Sequence, residues 1–243
     1  MKWCQSCVLP DTRPNLTLDQ SCICNACRNH QSKKNINWSH RQDELNKVVA
    51  NAKERSTGYD CLIPVSGGKD STWQTFKCLE LGLKPLAVTW RPAGRTPIGQ
   101  RNLDNLIKLG VDHIDYTINP DIEAKLMLKT FERNGSTGIP MHLALFNIPL
   151  TIASRFKIPL VIWGENSAFE YGNKDSSDIG FALDENWMRT YGVTNGTTAA
   201  DWIDEDLSKK DLTPYFGPSD RDLNQAGIKA IFLGYYIPWD PET

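Results

Sequence analysis

One turn limits the folds open to this chain more than any other segment. It is Pro64-Val65-Ser66-Gly67-Gly68-Lys69-Asp70-Ser71, set between an apolar run and a helical pattern. Residues 60–65 have the length and character of a short buried strand. Residues 71–81 place Trp73, Phe76, Leu79 and Leu81 where they can face a core from a helix. Two glycines at such a junction allow a sharp bend and a close approach of backbone to a ligand. The uncapped N–H groups of the helix, the positive end of its dipole and the hydroxyls of Ser66 and Ser71 then make an anion cradle, to which Lys69 adds a charged donor.

The turn is not the phosphate loop of kinases and GTPases. That pattern needs a glycine five positions before the Gly-Lys pair and a Ser or Thr directly after the lysine; Ile63 and Asp70 stand at those places. The string instead resembles the SGGxDS signature of the PP-loop ATP pyrophosphatases. The resemblance implies ATP as ligand, cleaved between its α and β phosphates, with adenylation of a substrate oxygen and loss of pyrophosphate. Ser66, Gly67, Gly68, Lys69 and Ser71 would hold the β and γ phosphates, with Gly164 in the same nucleotide-binding set. Asp70 has two equal roles open to it, holding Mg²⁺ through water or fixing the loop. The alternative is a glycine turn that binds nothing, which the flanking strand and helix argue against.

Five of the seven cysteines lie in the first 27 residues. Cys4-x2-Cys7 and Cys24-x2-Cys27 are sixteen residues apart, within the spacing of a four-cysteine zinc site. Each CxxC can present two thiolates from a tight turn, and two turns close a tetrahedron around Zn²⁺. A disulfide pair fits poorly, because Met1-Lys2-Trp3 opens no secretory signal and a phosphate loop implies a cytosolic nucleotide supply. An iron–sulfur cluster stays open on spacing alone. Cys22 is the spare thiol.

The 243 residues carry 27 Lys+Arg against 29 Asp+Glu, a net charge of -2, and no apolar run long enough to span a bilayer. The expectation is a soluble cytoplasmic protein with no membrane partner. Near-neutral charge gives no footprint for a large polyanion and argues against nucleic acid. The polar stretch 28–37 has linker composition, so residues 1–37 are expected to form a zinc module with its linker and 38–243 a PP-loop ATP-binding domain. Within the latter, helices are expected at 43–53, 100–109, 122–133 and 141–156, and strands at 86–90, 113–118, 160–163 and 229–233. Alternation of this kind predicts an α/β fold, an open parallel Rossmann-like sheet of the PP-loop type, with ligands at the carboxyl ends of its strands.

Trp163-Gly164-Glu165-Asn166 and Glu170-Tyr171-Gly172 follow the fourth strand. Together with the cysteine pairs, Val8-Leu9-Pro10-Asp11-Thr12-Arg13-Pro14 and Tyr59-Asp60-Cys61, they resemble the N-acetyl sugar amidotransferase family, whose members assist in making acetamidino sugars for bacterial surface polysaccharides such as lipopolysaccharide. Family sequences usually continue beyond the part matching 234–240. The resemblance therefore implies a truncated carboxyl end or a short variant.

That resemblance implies ATP-dependent conversion of an N-acetyl sugar, nucleotide-linked, into its acetamidino form. Glu165 and Asn166 would join Lys69 and Asp70 as catalytic residues, orienting the acetamide or accepting a proton from ammonia; their plainer role is to hydrogen-bond the following loop. Arg91 and Arg95 are candidates for phosphate contacts or for solvated loop positions. His142 reads as a packed or capping histidine, and the polar loop with Lys174, Asp175 and Asp178 is a weak candidate to close over the sugar. The chain shows no glutaminase nucleophile: Lys2 follows Met1, Cys61 lies in a strand and Cys78 in a helix. The resemblance implies ammonia from a separate glutaminase with a cyclase-like barrel partner. The rival readings are a PP-loop tRNA sulfur-transfer enzyme, which would carry further cysteines near the site, and a non-catalytic nucleotide-binding scaffold.

Overall fold

The computed structural model describes residues 1–13, 15–164 and 183–238. The chain divides into two units, one formed by 1–47, 164–181 and 232–243, the other by 48–163 and 182–231.

The larger unit carries the sheet. Its strands are β1 (Cys61–Pro64), β2 (Pro85–Trp90), β3 (Asp112–Tyr116), β4 (Leu160–Trp163) and β5 (Lys229–Phe232), in the spatial order β3-β2-β1-β4-β5. β1 pairs in parallel with β2 and β4, and β2 with β3. Cys61, Leu62, Ile63, Val161 and Ile162 are fully buried, as expected of strands covered on both faces. The order runs outward from β1 through β2 to β3, then returns to the other side of β1. Strand order therefore reverses between β1 and β4, and the chain leaving β1 opens into that crevice.

The helices are α1 (Asn25–Ser32), α2 (Trp38–Arg55), α3 (Lys69–Glu80), α4 (Pro97–Ile107), α5 (Pro120–Asn134), α6 (Gly138–Phe156), α7 (Glu185–Tyr191), α8 (Asp220–Ala226) and α9 (Leu233–Tyr236). Right-handed crossovers put α3 and α4 on one face of the sheet, and α5 and α6, which lead back over it, on the other. Accordingly α6 packs on β1, β2 and β4, presenting Leu143, Ala144, Phe146, Leu150 and Ala153 as buried residues.

Helix starts fall earlier than the apolar pattern predicts. Thr96 caps α4 by accepting from the Gly99 N–H at 3.1 Å, with Pro97 at the first position. Asn119 caps α5 ahead of Pro120, and α2 begins at Trp38 instead of 43. Caps and first-turn prolines are polar or rigid, so hydrophobic periodicity misses them. The stretch 28–37 is also more ordered than its composition suggests. Cys24 caps α1 through its sulfur, and the helix runs to Ser32 before a 3₁₀ turn, Lys33–Asn35.

In the smaller unit, the N-terminal segment folds back on itself through bridges Trp3↔Pro10 and Leu18↔Cys24. Cys4, Leu16 and Cys24 form its buried centre, with Leu9, Leu18 and Ala26 against them. In the same unit Arg41 donates to the Tyr235 carbonyl at 2.7 Å and lies 3.9 Å above the Tyr235 ring.

Candidate functional site

The 66–71 turn joins β1 to α3 at the point where strand order reverses. Gly67 takes φ +80°, and a Cβ there would stand 2.7 Å from the Leu103 backbone nitrogen of α4. Both facts require glycine: the left-handed conformation, and the absence of any room on that side. Gly68 differs. It is the N-cap of α3 with φ -73° and ψ 171°, and a Cβ would meet only Ser66 Oγ at 3.3 Å. Gly68 offers no side-chain cap, so it supplies no acceptor to the first-turn amides of Asp70 and Ser71.

The turn is braced from within. Ser71 Oγ accepts from the N–H groups of Gly67 (3.1 Å) and Ser66 (3.3 Å) and donates to the Gly68 carbonyl (3.1 Å). Ser71 is 7 % exposed, so its hydroxyl is spent on holding the loop in shape. Ser66, by contrast, is exposed and accepts from the Gly68 N–H at 3.3 Å. Lys69 is exposed and Asp70 half-buried, and Asp70 Oδ1 is a buried oxygen with no hydrogen-bond partner among the described residues. An open groove of about 570 Å³ borders Gly67 and Lys69 and runs between α3 and α4 past Trp73, Phe76 and Leu109.

Two further contacts seat the turn. Thr89 Oγ1 donates to the Val65 carbonyl at 2.8 Å and lies 2.9 Å from His113 Nε2. The single hydroxyl hydrogen goes to Val65, so His113 must donate from Nε2. Burial holds the His113 pKa below its ordinary value, which favours the neutral ring. On α3, the buried Gln74 reaches β4 and donates to the Ile162 carbonyl at 2.5 Å.

Of the arginines after β2, Arg95 is committed. Its guanidinium grips Asp115 through two bonds of 2.6 and 2.7 Å, and its side chain is 9 % exposed. Arg91 stands 3.6 Å from the same carboxylate and is half exposed. Arg95 is thus neither a solvated loop residue nor open to a phosphate in this arrangement. His142 Nδ1 contacts the Gly138 carbonyl, four residues back, at 2.8 Å, a bond inside α6 and not a cap, since a helix start is capped by an acceptor for its free N–H groups. Gly164 O accepts from the Gly234 N–H at 3.0 Å. Glu165, Asn166, Glu170, Tyr171, Gly172, Lys174, Asp175 and Asp178 lie outside the described residues, as do Pro14, Trp239 and Asp240.

Sequence reasoning missed a polar cluster beyond the end of β2. Glu123, in the first turn of α5, is 5 % exposed and accepts from Trp90 Nε1 at 3.1 Å. Burial pushes its carboxyl pKa up, against the lowering effect of that bond. Tyr215 is 1 % exposed, and burial with the nearby Glu123 charge raises its phenol well above the usual value. Nothing local in sequence marks either residue.

In the smaller unit the four CxxC sulfurs lie within 4.8 Å of one another. Cys4 and Cys27 are 3.9 Å apart and Cys7 and Cys24 3.5 Å, close to the edge of about 3.8 Å for a tetrahedron of thiolates bonded to zinc at about 2.3 Å. That spacing suits one shared ion. Burial opposes ionisation of Cys4, but the backbone groups of Cys7, Cys24 and Ser6 bring its thiol down to about 6. Cys24 and Ser6 donate N–H groups to its sulfur at 3.2 and 3.4 Å. Cys22 is outside the cluster, at φ +55°. Burial, then Cys78, push the Cys61 thiol well up, so Cys61 is not an activated nucleophile.

The parallel five-stranded α/β sheet with the SGGKDS turn at its switch point is an open Rossmann-like fold. No protein-family model matches the chain, and no curated protein matches it. Among solved structures, a predicted subunit of a tRNA methyltransferase from Methanocaldococcus jannaschii is similar at 17 % identity, covering 75 % of this chain and 70 % of its own, with a TM-score of 0.38. An NMN synthetase from Francisella tularensis is similar at 13 % identity over 86 % of this chain and 100 % of its own, with a TM-score of 0.40. No helix among the described residues is long and apolar enough to cross a membrane.

Proposed function

We propose that this chain is an ATP-dependent amidotransferase that converts the acetamide of an N-acetyl sugar, nucleotide-linked, into an acetamidine. The observation that carries the reading is the 66–71 turn: a loop whose two glycines differ in what they need, one fixed by its own fold and one left bare toward the ligand side. The chemistry runs in two displacements. The acetamide oxygen attacks the α-phosphorus of ATP, the bond to the β-phosphate oxygen breaks, and pyrophosphate leaves an imidoyl adenylate. Ammonia adds at the activated carbon, AMP departs with the former amide oxygen, and loss of a proton from nitrogen leaves the amidine.

Ser66, Lys69 and the uncapped amides of α3 counter the charge that grows on departing pyrophosphate. The unpartnered Asp70 Oδ1 fits a role in holding Mg²⁺, which would supply neutralising charge beside the phosphates. The four cysteines fit Zn²⁺, which would fix the N-terminal module. Glu165 and Asn166 are proposed to orient the acetamide. Ammonia is proposed to come from a separate glutaminase with its barrel partner, because the buried Cys61 and Cys78 offer no nucleophile. Nucleic acid and membrane have no part in this reading, and a cytoplasmic location follows from its nucleotide supply and its partners.

Incubation of the chain with ATP, Mg²⁺, ammonium and candidate N-acetyl sugars tests the proposal. The expected result is sugar-dependent release of AMP and pyrophosphate and a product one mass unit lighter, as replacement of oxygen by NH requires. ADP and orthophosphate as products would refute the adenylation step. Pyrophosphate release with tRNA and a sulfur donor, but with no sugar, would give the function to sulfur transfer. Nucleotide binding without turnover on any of these would leave a scaffold.

A further inference from the structure

Arg91 and Arg95 follow β2 on either side of a tight turn, in which the Arg95 N–H donates to the Pro92 carbonyl at 3.2 Å. The turn brings both guanidiniums to one carboxylate, Asp115 of β3. Arg95 takes that carboxylate by two bonds of 2.6 and 2.7 Å and reaches Gln100 Oε1 of α4 at 3.0 Å. With its side chain 9 % exposed, Arg95 is a fixed part of the fold. Arg91 is held differently. Its backbone N–H donates to the Tyr116 carbonyl at 2.8 Å, which carries the β2–β3 ladder one residue further. Its guanidinium, 52 % exposed, stands 3.6 Å from Asp115. At that distance the carboxylate orients the group by charge but takes no N–H from it in a hydrogen bond.

Two guanidiniums that share one carboxylate leave a positive charge over, and the open fork of donors belongs to Arg91. The place is that of the candidate nucleotide turn. Pro64 of β1 pairs with Val88 of β2, and the Val65 N–H bonds the Val88 carbonyl. Arg91 lies three residues beyond Val88, as Gly67 lies three beyond Pro64, on neighbouring strands about 4.8 Å apart. Both therefore leave the carboxyl edge of the sheet side by side, where such sheets bind ligands. A planar cation with its base anchored and its donors open suits an oxyanion that presents two oxygens at once, as phosphate does.

We propose that Arg91 is an anion-binding residue of this edge, taking one phosphate group of a nucleotide through its guanidinium, with the Arg95–Asp115 pair as the fixed support that aims it. In the amidotransferase reading two nucleotides bring phosphates here, ATP and the carrier of the acceptor sugar. The inference rests on that reading only for the second.

The test uses the full chain, with ATP and UDP-N-acetylglucosamine as probes, N-acetylglucosamine as the control without phosphate, and calorimetric titration as the readout. Arg91→Gln removes the charge from a half-exposed side chain, so the melting temperature should stay that of wild type. Arg91→Lys keeps the charge and loses the fork. Affinity for at least one of the nucleotides should fall at least tenfold in Arg91→Gln and by less in Arg91→Lys. A loss confined to ATP assigns the phosphate to ATP, and a loss confined to UDP-N-acetylglucosamine assigns it to the carrier of the acceptor. Affinities within twofold of wild type in both variants, or a wild-type chain that binds neither nucleotide, overturns the proposal. Weakened nucleotide binding in Arg91→Gln, with no N-acetyl sugar or sugar nucleotide stimulating pyrophosphate release by the wild type, keeps the role of Arg91 and overturns the amidotransferase reading.

Discussion

Gly67 and Gly68 are neighbours in sequence with different obligations, and a pair of substitutions separates them. Gly67→Ala forces a side chain into the left-handed region and against the Leu103 backbone, a strain of about 1–3 kcal/mol before any loop shift. Chemical denaturation should show that loss without nucleotide present. Gly68→Ala has an ordinary backbone and only Ser66 Oγ nearby, so the fold should keep its stability while ATP affinity falls at least tenfold. Equal loss of stability in both variants would contradict this division. Glu123 gives a pH-dependent counterpart. Its folded pKa is raised by burial, so between the unfolded and folded values the native state binds more protons, and its contribution to stability falls as pH rises through that window. Glu123→Gln keeps an acceptor for Trp90 and removes the charge. Its melting temperature should exceed that of wild type at pH 8 and match it at pH 4. The glycine pair could be read from sequence because its chemistry is local. Glu123 and Tyr215 could not, since they stand 92 positions apart in the chain and only folding brings them together.

Strands were the legible elements: β1, β2, β4 and β5 lie within a residue of where their apolar runs place them. Burial on both faces leaves a continuous hydrophobic run, which a sequence shows directly. α6 was legible despite Pro149 inside it, because its apolar content outweighs one missing donor. The short α7 and α8 were not marked, since seven residues give barely two turns of pattern. Also invisible was how the elements are tied. Gln74 of α3 looks like a polar residue on a helix face, yet it is 2 % exposed and bonded to the Ile162 carbonyl of β4. Gln74→Met keeps the volume and leaves that carbonyl without its donor, so it should cost about 1–3 kcal/mol. Urea unfolding gives the value. A cost near zero would mean that α3 and β4 do not depend on the bond, and that the seat of the 66–71 turn is set by Thr89 and Leu103 alone.

On the scale of the whole chain, the two units are held by different forces. The larger has a broad apolar core from β1 to β5. In the N-terminal part of the smaller, the buried centre is Cys4, Leu16 and Cys24, too little apolar surface to order 27 residues against their conformational entropy. A bound ion at the four sulfurs would supply the remainder, as metal binding does in small cysteine-rich modules. The paired CxxC spacing made this legible, because the ligands come from two local turns, whereas the helix that carries Cys27 was hidden under a polar composition. One zinc per chain is therefore expected by elemental analysis, retained in Cys22→Ser and lost in Cys24→Ser. Chelation should speed amide hydrogen exchange across residues 1–27, including the Ser6 and Cys24 amides that donate to Cys4 sulfur, while the amides of β1 and β2 keep their protection. If exchange in residues 1–27 is unchanged after complete removal of metal, the segment is ordered by packing alone. Retention of zinc by Cys24→Ser, or its loss only in Cys22→Ser, would move the site to a different set of sulfurs.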